Sequence, residues 1–152
     1  MRSINHVSSI EGRMAFPLNA AYVSTKFAIE GLSEGLRHEA REFGINVITV
    51  APGAVKTNFV NNTKVAQKAT DPNSAYVQMM QTFFAKFTPL YENASKPEDV
   101  AKVILRAVTS NNSDYTYLVG NDAASLMKSK KNMSDREFED LIRDAKTYAA
   151  VI

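Results

Sequence analysis

The chain has 152 residues, of which 45% are hydrophobic and 22% are charged, and its net charge is +2. This composition excludes collagen, coiled-coil and wholly disordered proteins. It predicts a single domain, residues 1–152, that buries roughly 70% of its unfolded surface. The absence of cysteine excludes disulfides, thiolate zinc sites and cysteine nucleophiles, and no metal site is predicted.

Charge and hydropathy narrow the expected partners and location. A net charge of +2 is too weak to indicate a nucleic-acid partner. No apolar run approaches the roughly 20 residues of a membrane helix, and no charged-then-apolar leader opens the sequence. We therefore expect a cytoplasmic protein without nucleic-acid or membrane partners.

The first third of the chain predicts a strand, a loop, a long helix and a second strand. Ile4–Val7 is β-prone, and Gly12–Asn19 has the composition of a loop. Ala20–Phe43 has a helical pattern. The residues whose three- and four-residue spacing predicts its buried face are Ala28, Leu32, Leu36, Ala40 and Phe43. Asn46–Ala51 is continuously apolar up to Pro52, which predicts a parallel strand buried on both faces.

The remaining pattern predicts further helices and one more strand. In order, these are a polar loop over Thr57–Asn73, a helix over Tyr76–Phe87, a helix over Ser95–Thr109, a strand over Tyr115–Val119 and a helix over Ser134–Tyr148. The last two helices are predicted to begin with capping boxes, Ser95 with Glu98 and Ser134 with Glu137. The alternation of strands and helices predicts an α/β fold with a parallel sheet.

Tyr22 and Lys26 are the strongest candidates for chemistry. Four residues apart on a helix, they would share one face with Cβ atoms about 5–6 Å apart. An ammonium so close favours phenolate, which predicts a pKa for Tyr22 below the usual value of about 10. Such a phenol suits general acid or base catalysis at a hydroxyl or carbonyl. Ser9, in the loop after the first strand, is placed to donate a hydrogen bond to the same substrate oxygen.

Four short segments carry a family resemblance when taken together. They are Ser8-Ser9-Ile10-Glu11-Gly12, Tyr22-Val23-Ser24-Thr25-Lys26, Pro52-Gly53-Ala54-Val55-Lys56-Thr57 and Tyr115–Asp122 (YTYLVGND). In this order they resemble the C-terminal half of a short-chain dehydrogenase/reductase. The last segment is similar to hydroxysteroid- and retinol-dehydrogenase-like members. The resemblance covers most of the chain and implies a partial Rossmann-type, doubly wound parallel sheet made of the last three strands with their helices.

The resemblance also implies roles for individual residues. Ser9 would position the substrate oxygen, Tyr22 would transfer the proton, and Lys26 would lower the pKa of Tyr22 and bind the nicotinamide ribose. The residues implied to bind NAD or NADP are Tyr22, Lys26, Pro52, Gly53, Val55 and Thr57. The implied reaction interconverts a secondary alcohol and a ketone by hydride transfer.

Two further features follow from the same resemblance. The helix over residues 20–43 resembles the one through which family members dimerise, so a homo-oligomer is expected. The aromatic residues implied to wall an apolar substrate pocket are Phe83, Phe84, Phe87 and Tyr91.

The sequence also departs from the family pattern. None of its six glycines forms the glycine-rich turn that meets the pyrophosphate, and the Asn-Asn-Ala-Gly segment is missing. The N-terminal cofactor-binding half is therefore expected to be missing, and the chain alone is expected to be inactive. The alternative is a non-catalytic fragment that acts as a dimerisation or interaction module. A third is an unrelated α/β binding domain with a coincidental tyrosine–lysine pair.

Overall fold

The computed structural model describes residues 2–69, 71–110 and 114–144. Within them, three parallel strands form an open sheet accompanied by five α-helices. In chain order the elements are β1 (Arg2–Val7), α1 (Ala20–Arg41), β2 (Ile45–Pro52), α2 (Val77–Glu92), α3 (Pro97–Thr109), β3 (Thr116–Val119), α4 (Asn121–Asn132) and α5 (Asp135–Arg143). The predicted α/β class is confirmed. None of the described helices combines the length and apolarity that a bilayer crossing requires.

The sheet has the order β1-β2-β3, with β2 between the other two strands. Val7 pairs with Val50, and Pro52 pairs with Val119. The last six residues of β2 are buried, as its continuous apolar sequence predicts. Because all three strands are parallel, their carboxyl ends lie at one edge of the sheet, which is where ligands bind in open α/β sheets.

Two hydrophobic clusters bury the described part of the sheet and its loops. One consists of Ile48, Val50, Ala107, Tyr117 and Val119, so it joins β2 and β3 to α3. The other is formed by Ile10, Met14, Phe16, Ala123, Leu126, Phe138, Leu141 and Ile142. This second cluster fixes the segment after β1 against α4 and α5, and it thereby positions the residues that follow the first strand.

The predicted buried face of α1 is confirmed at Ala40 and is wrong at Leu32 and Phe43. Its buried residues are Val23, Ser33 and Ala40, whereas Leu32 is 61% exposed and Phe43, which lies beyond the end of the helix, is 68% exposed. The physical reason is the polar anchor at Ser33. Its hydroxyl donates to the carbonyl of Ile29 at 2.6 Å and therefore accepts from Nδ1 of His6 in β1 at 2.7 Å.

The observed starts of α3, α4 and α5 can be compared with the starts that the sequence predicts. Helix α3 begins one residue later than the Ser95–Glu98 capping box predicts: Lys96 is the N-cap, and its N–H donates to the Asp99 carboxylate at 3.3 Å. Ser95 instead forms a parallel bridge with Val55. The second capping box is confirmed, because the N–H of Ser134 donates to Glu137 at 2.8 Å. Helix α4 was not predicted. The last helix ends at Arg143, with Asp144 in an extended conformation as its C-cap, and the remainder of its predicted extension to Tyr148 lies outside the described residues.

Candidate active site

A cavity of about 280 Å³ lies at the carboxyl edge of the sheet. All seven predicted site residues line it: Ser9, Tyr22, Lys26, Pro52, Gly53, Val55 and Thr57. They come from three separate parts of the chain, namely the loop after β1, the first turns of α1 and the segment after β2. The structure therefore brings together every residue to which the sequence assigned a catalytic or cofactor-binding role.

Ser9 and Tyr22 form the polar end of this cavity. Ser9 is buried, and its Oγ accepts a hydrogen bond from the backbone N–H of Glu11 at 3.1 Å, which caps a short 3-10 turn over Ile10–Gly12. The Tyr22 ring packs edge-on against Phe59 with ring centroids 5.5 Å apart. This packing and the cap hold both hydroxyl-bearing side chains in place before any ligand enters.

The pKa of Tyr22 moves in the opposite direction to the predicted one. Burial raises it above the usual value, a side-chain hydrogen bond with Ser9 partly opposes this effect, and the negative charge of Glu11 raises it further. Since burial disfavours the charged form of a phenol, Tyr22 holds its proton. The expected lowering by Lys26 is therefore wrong for this structure.

Lys26 is directed toward the end of β1. Its Nζ donates to the carbonyl oxygen of Val7 at 3.2 Å and lies 5.6 Å from the centroid of the Tyr22 ring. Burial lowers the pKa of this ammonium. An ammonium has three donors, so the bond to Val7 leaves others for a hydroxyl-rich ligand in the cavity.

Glu11 lines the cavity, although the sequence predicted no role for it. Burial raises the pKa of its carboxyl from 4.5 to about 7, although the Asn19 side chain, which donates to both carboxylate oxygens at 3.1 and 3.3 Å, lowers it. Its charge also raises the pKa values of Tyr22 and Tyr91. The only signal in the sequence is its place inside the Ser8–Gly12 motif.

The segment Pro52–Thr57 is held on its outer side by β3, α4 and the loop before α3. The N–H of Gly53 donates to Val119 at 2.9 Å, and the N–H of Ala54 donates to Oδ2 of Asp122 at 2.7 Å. Ser95 adds two backbone hydrogen bonds, from its N–H to Ala54 and from Lys56 to its carbonyl. Asp122 also lines the cavity, and it too was not singled out from the sequence.

The aromatic wall differs in part from the predicted one. Tyr91 lines the cavity, together with Phe16 and Phe59, which were not predicted to do so. Phe83 instead packs against the cluster around Leu126, and the side chain of Phe84 is 47% exposed. These two residues are therefore not cavity walls, and the side chain of Phe87 lies outside the described residues.

This arrangement is suited to proton transfer at an oxygen in a largely apolar pocket. A half-buried phenol, a fixed serine hydroxyl and an ammonium meet at one end, with aromatic side chains around them. Nothing in the described part of the chain gathers three acidic or histidine side chains into a potential metal site.

Comparison with known proteins finds a family match over the first part of the chain. Residues 3–68 match the short chain dehydrogenase family. An uncharacterized oxidoreductase of Schizosaccharomyces pombe is 33% identical over 135 residues, which are 89% of this chain and 56% of that protein.

Solved structures agree on the fold. A short-chain dehydrogenase from Streptomyces avermitilis superposes with a TM-score of 0.66 at 26% identity, over 93% of this chain and 50% of that one. A short chain dehydrogenase from Burkholderia cenocepacia, in complex with NADP, gives a TM-score of 0.61 at 20% identity over 89% of this chain and 44% of that one. The chain thus spans about half the length of the proteins it matches, and its fold is that of part of a short-chain dehydrogenase.

Proposed function

We propose that this chain belongs to the short-chain dehydrogenase/reductase family and forms the catalytic, C-terminal half of its Rossmann-type domain, as one unit over residues 1–152. The observation that carries the proposal is the single cavity shared by Ser9, Tyr22, Lys26 and the segment Pro52–Thr57. Chance similarity at one motif would not bring three separate segments to the carboxyl edge of one sheet.

The proposed reaction interconverts a secondary alcohol and a ketone. In the reductive direction, the Tyr22 phenol donates its proton to the substrate oxygen, and in the oxidative direction the phenolate accepts that proton. The Ser9 hydroxyl donates a hydrogen bond to the same oxygen as negative charge develops on it. The raised pKa of Tyr22 keeps the proton available for the reductive direction at neutral pH.

NAD or NADP is the proposed cofactor, and it supplies or accepts the hydride at the substrate carbon. The donor set fits the nicotinamide end of such a molecule, because Lys26 offers ammonium donors for ribose hydroxyls and Thr57 adds a hydroxyl. The cavity volume of about 280 Å³ lies near the lower end of the roughly 300–1,000 Å³ of small-molecule pockets. It therefore suits one end of a dinucleotide and a compact substrate.

The aromatic walls favour a compact, apolar alcohol or ketone. Phe16, Phe59 and Tyr91 surround the polar end of the cavity, and apolar walls with few polar groups are typical of such sites. A cytoplasmic location is part of this proposal.

Helix α1 supports a second candidate function, a dimerisation or interaction module without catalysis. Phe27 and Leu32 of this helix are 44% and 61% exposed. Exposed apolar side chains of this size are available for contact with a partner. The catalytic proposal includes the same surface, since a homo-oligomer formed through residues 20–43 is compatible with an open cavity.

One experiment separates the two candidates. A complete protein that joins these 152 residues to a dinucleotide-binding half is assayed with NAD or NADP against a panel of secondary alcohols and ketones. Turnover that depends on Ser9, and that Ser9→Ala reduces, supports the enzyme. Self-association without turnover on any member of the panel supports the interaction module and contradicts the catalytic proposal.

A further inference from the structure

Two glycines and one aspartate form a tight contact at the carboxyl ends of β2 and β3. A Cβ atom at Gly53 would overlap the carboxylate of Asp122, and so would a Cβ at Gly120. The two glycines differ in backbone conformation. Gly120 has φ +102°, where any side chain is strained, whereas Gly53 is not among the positive-φ glycines. Space, not backbone conformation, is therefore the restriction at position 53.

The Asp122 carboxylate makes use of that space. Its Oδ2 accepts the N–H of Ala54 at 2.7 Å, a charge-assisted hydrogen bond of the stronger kind. The contacts of this segment with Val119 and Ser95 are backbone to backbone, and among the described residues the Thr57 hydroxyl accepts only a local hydrogen bond, from the N–H of Phe59. Asp122, in the first turn of α4, is thus the side chain among these contacts that holds the segment from another element.

We propose that Asp122 is a positioning residue for the segment Pro52–Thr57 and that its carboxylate is the reason why position 53 is glycine. The alternative explanation of Gly53 is close approach of a ligand to the backbone. The positioning part of this inference, that Asp122 orients the wall facing the nicotinamide end, rests on the proposed function. The packing part, that the Asp122 carboxylate leaves no space for a side chain at position 53, does not rest on it.

A double-mutant cycle on unfolding tests the packing part in the complete protein. Gly53→Ala is combined with Asp122→Ala, and the denaturant midpoint of each variant is measured without ligand. We expect Gly53→Ala to lower the midpoint strongly when Asp122 is present and to have little effect when it is absent. Gly35→Ala is the matched control, because a Cβ at Gly35 would meet no atom within 4 Å and its effect should be the same in both backgrounds. An equal effect of Gly53→Ala in both backgrounds would overturn the proposal.

A kinetic measurement tests the positioning part. Asp122→Ala should raise the KM for the cofactor about tenfold, consistent with the loss of one hydrogen bond to a charged group, and should change kcat less. Asp122→Asn keeps an oxygen acceptor for Ala54 and should restore most of the affinity. If Asp122→Ala does not fold, Asp122→Ser, whose side chain is shorter, takes its place in both tests. An unchanged cofactor KM in the folded variant contradicts the positioning role.

The two proposals fail in different ways. If the protein has no dehydrogenase activity, the proposed function is wrong, but the unfolding cycle still decides whether Asp122 imposes glycine at position 53. If activity is present and depends on Tyr22 while Asp122→Ala leaves the cofactor KM unchanged, only the positioning role is wrong.

Discussion

The ammonium of Lys26 lies 5.6 Å from the centroid of the Tyr22 ring, on the same face of α1. The four-residue spacing produces this proximity, but the effect on the phenol is not the expected one. Burial and the charge of Glu11 raise the pKa of Tyr22. In this structure Lys26 therefore donates a hydrogen bond at the end of β1, and the Tyr22 phenol keeps its proton.

Tyr22→Phe removes the donated proton and keeps the ring that packs on Phe59. In the complete protein, turnover should fall about 10²-fold or more, while the affinity for the cofactor is largely kept. The measurement is steady-state kinetics together with cofactor titration. Tyr76→Phe is the matched control, because Tyr76 is 56% exposed and lies outside the cavity. Near-normal turnover of Tyr22→Phe would falsify the proton-transfer role.

Lys26→Ala should reduce both turnover and cofactor affinity, each by about tenfold or more, because it removes a donor that lines the cavity beside Tyr22. Cofactor affinity is measured by calorimetry, and turnover is measured at saturating cofactor. Lys102→Ala provides the control, since the Lys102 side chain is 76% exposed and pairs only with Asp99 among the described residues. A variant with unchanged cofactor affinity would show that Lys26 does not bind the ribose.

Glu11→Gln should remove a pH dependence of stability. Burial raises the pKa of Glu11 from 4.5 to about 7, so the folded state binds this proton more tightly than the unfolded state. The associated stability is fully present below pH 4.5 and is lost as pH rises through about 7. At roughly 1.4 kcal/mol per pKa unit, the loss is at most about 3 kcal/mol.

The measurement for Glu11 is the urea midpoint of the complete protein at several pH values. The wild-type midpoint should fall between about pH 5 and pH 8, whereas that of Glu11→Gln should change less, because glutamine has no proton to lose. The amide also retains an acceptor for Asn19. Parallel pH profiles for the two proteins would mean that Glu11 is not the titrating group.

Short-range patterns predicted the sheet well. The continuous apolar run of β2 and the alternation of strands and helices predicted a parallel sheet. The Ser134 capping box predicted the start of α5. The buried face of α1 was not predictable in this way. Its orientation depends on Ser33, which is buried where His6 of β1 donates a hydrogen bond to it. A hydrophobic pattern does not predict a buried polar contact between residues so distant in sequence.

The site was predictable to the extent that it follows local motifs. Ser9, Tyr22, Lys26 and the segment Pro52–Thr57 all line one cavity. They do so because the loop after β1, the start of α1 and the segment after β2 meet at the carboxyl edge of the sheet. Glu11 and Asp122 were missed because their importance depends on burial and on contacts across the fold. The direction of the Tyr22 pKa failed for the same reason, since a spacing rule includes the nearby charge but not the burial.

The 152-residue chain alone should neither bind dinucleotide tightly nor remain monomeric. Dinucleotides bind across the point where strand order reverses, and the sequence has no glycine-rich turn for the pyrophosphate. In the described sheet, β1 pairs on one side only, which leaves unpaired backbone groups on its open edge, and Leu32 of α1 is 61% exposed. Such edges and patches promote self-association.

We expect light scattering of the 152-residue chain to show oligomers. By calorimetry, we expect a Kd for NADH or NADPH weaker than about 1 mM, which is a binding free energy of under roughly 4 kcal/mol. Leu32→Glu should reduce the association through α1, and Glu34→Gln on the same helix is its control. A monodisperse monomer that binds NADPH at micromolar concentration would contradict the prediction.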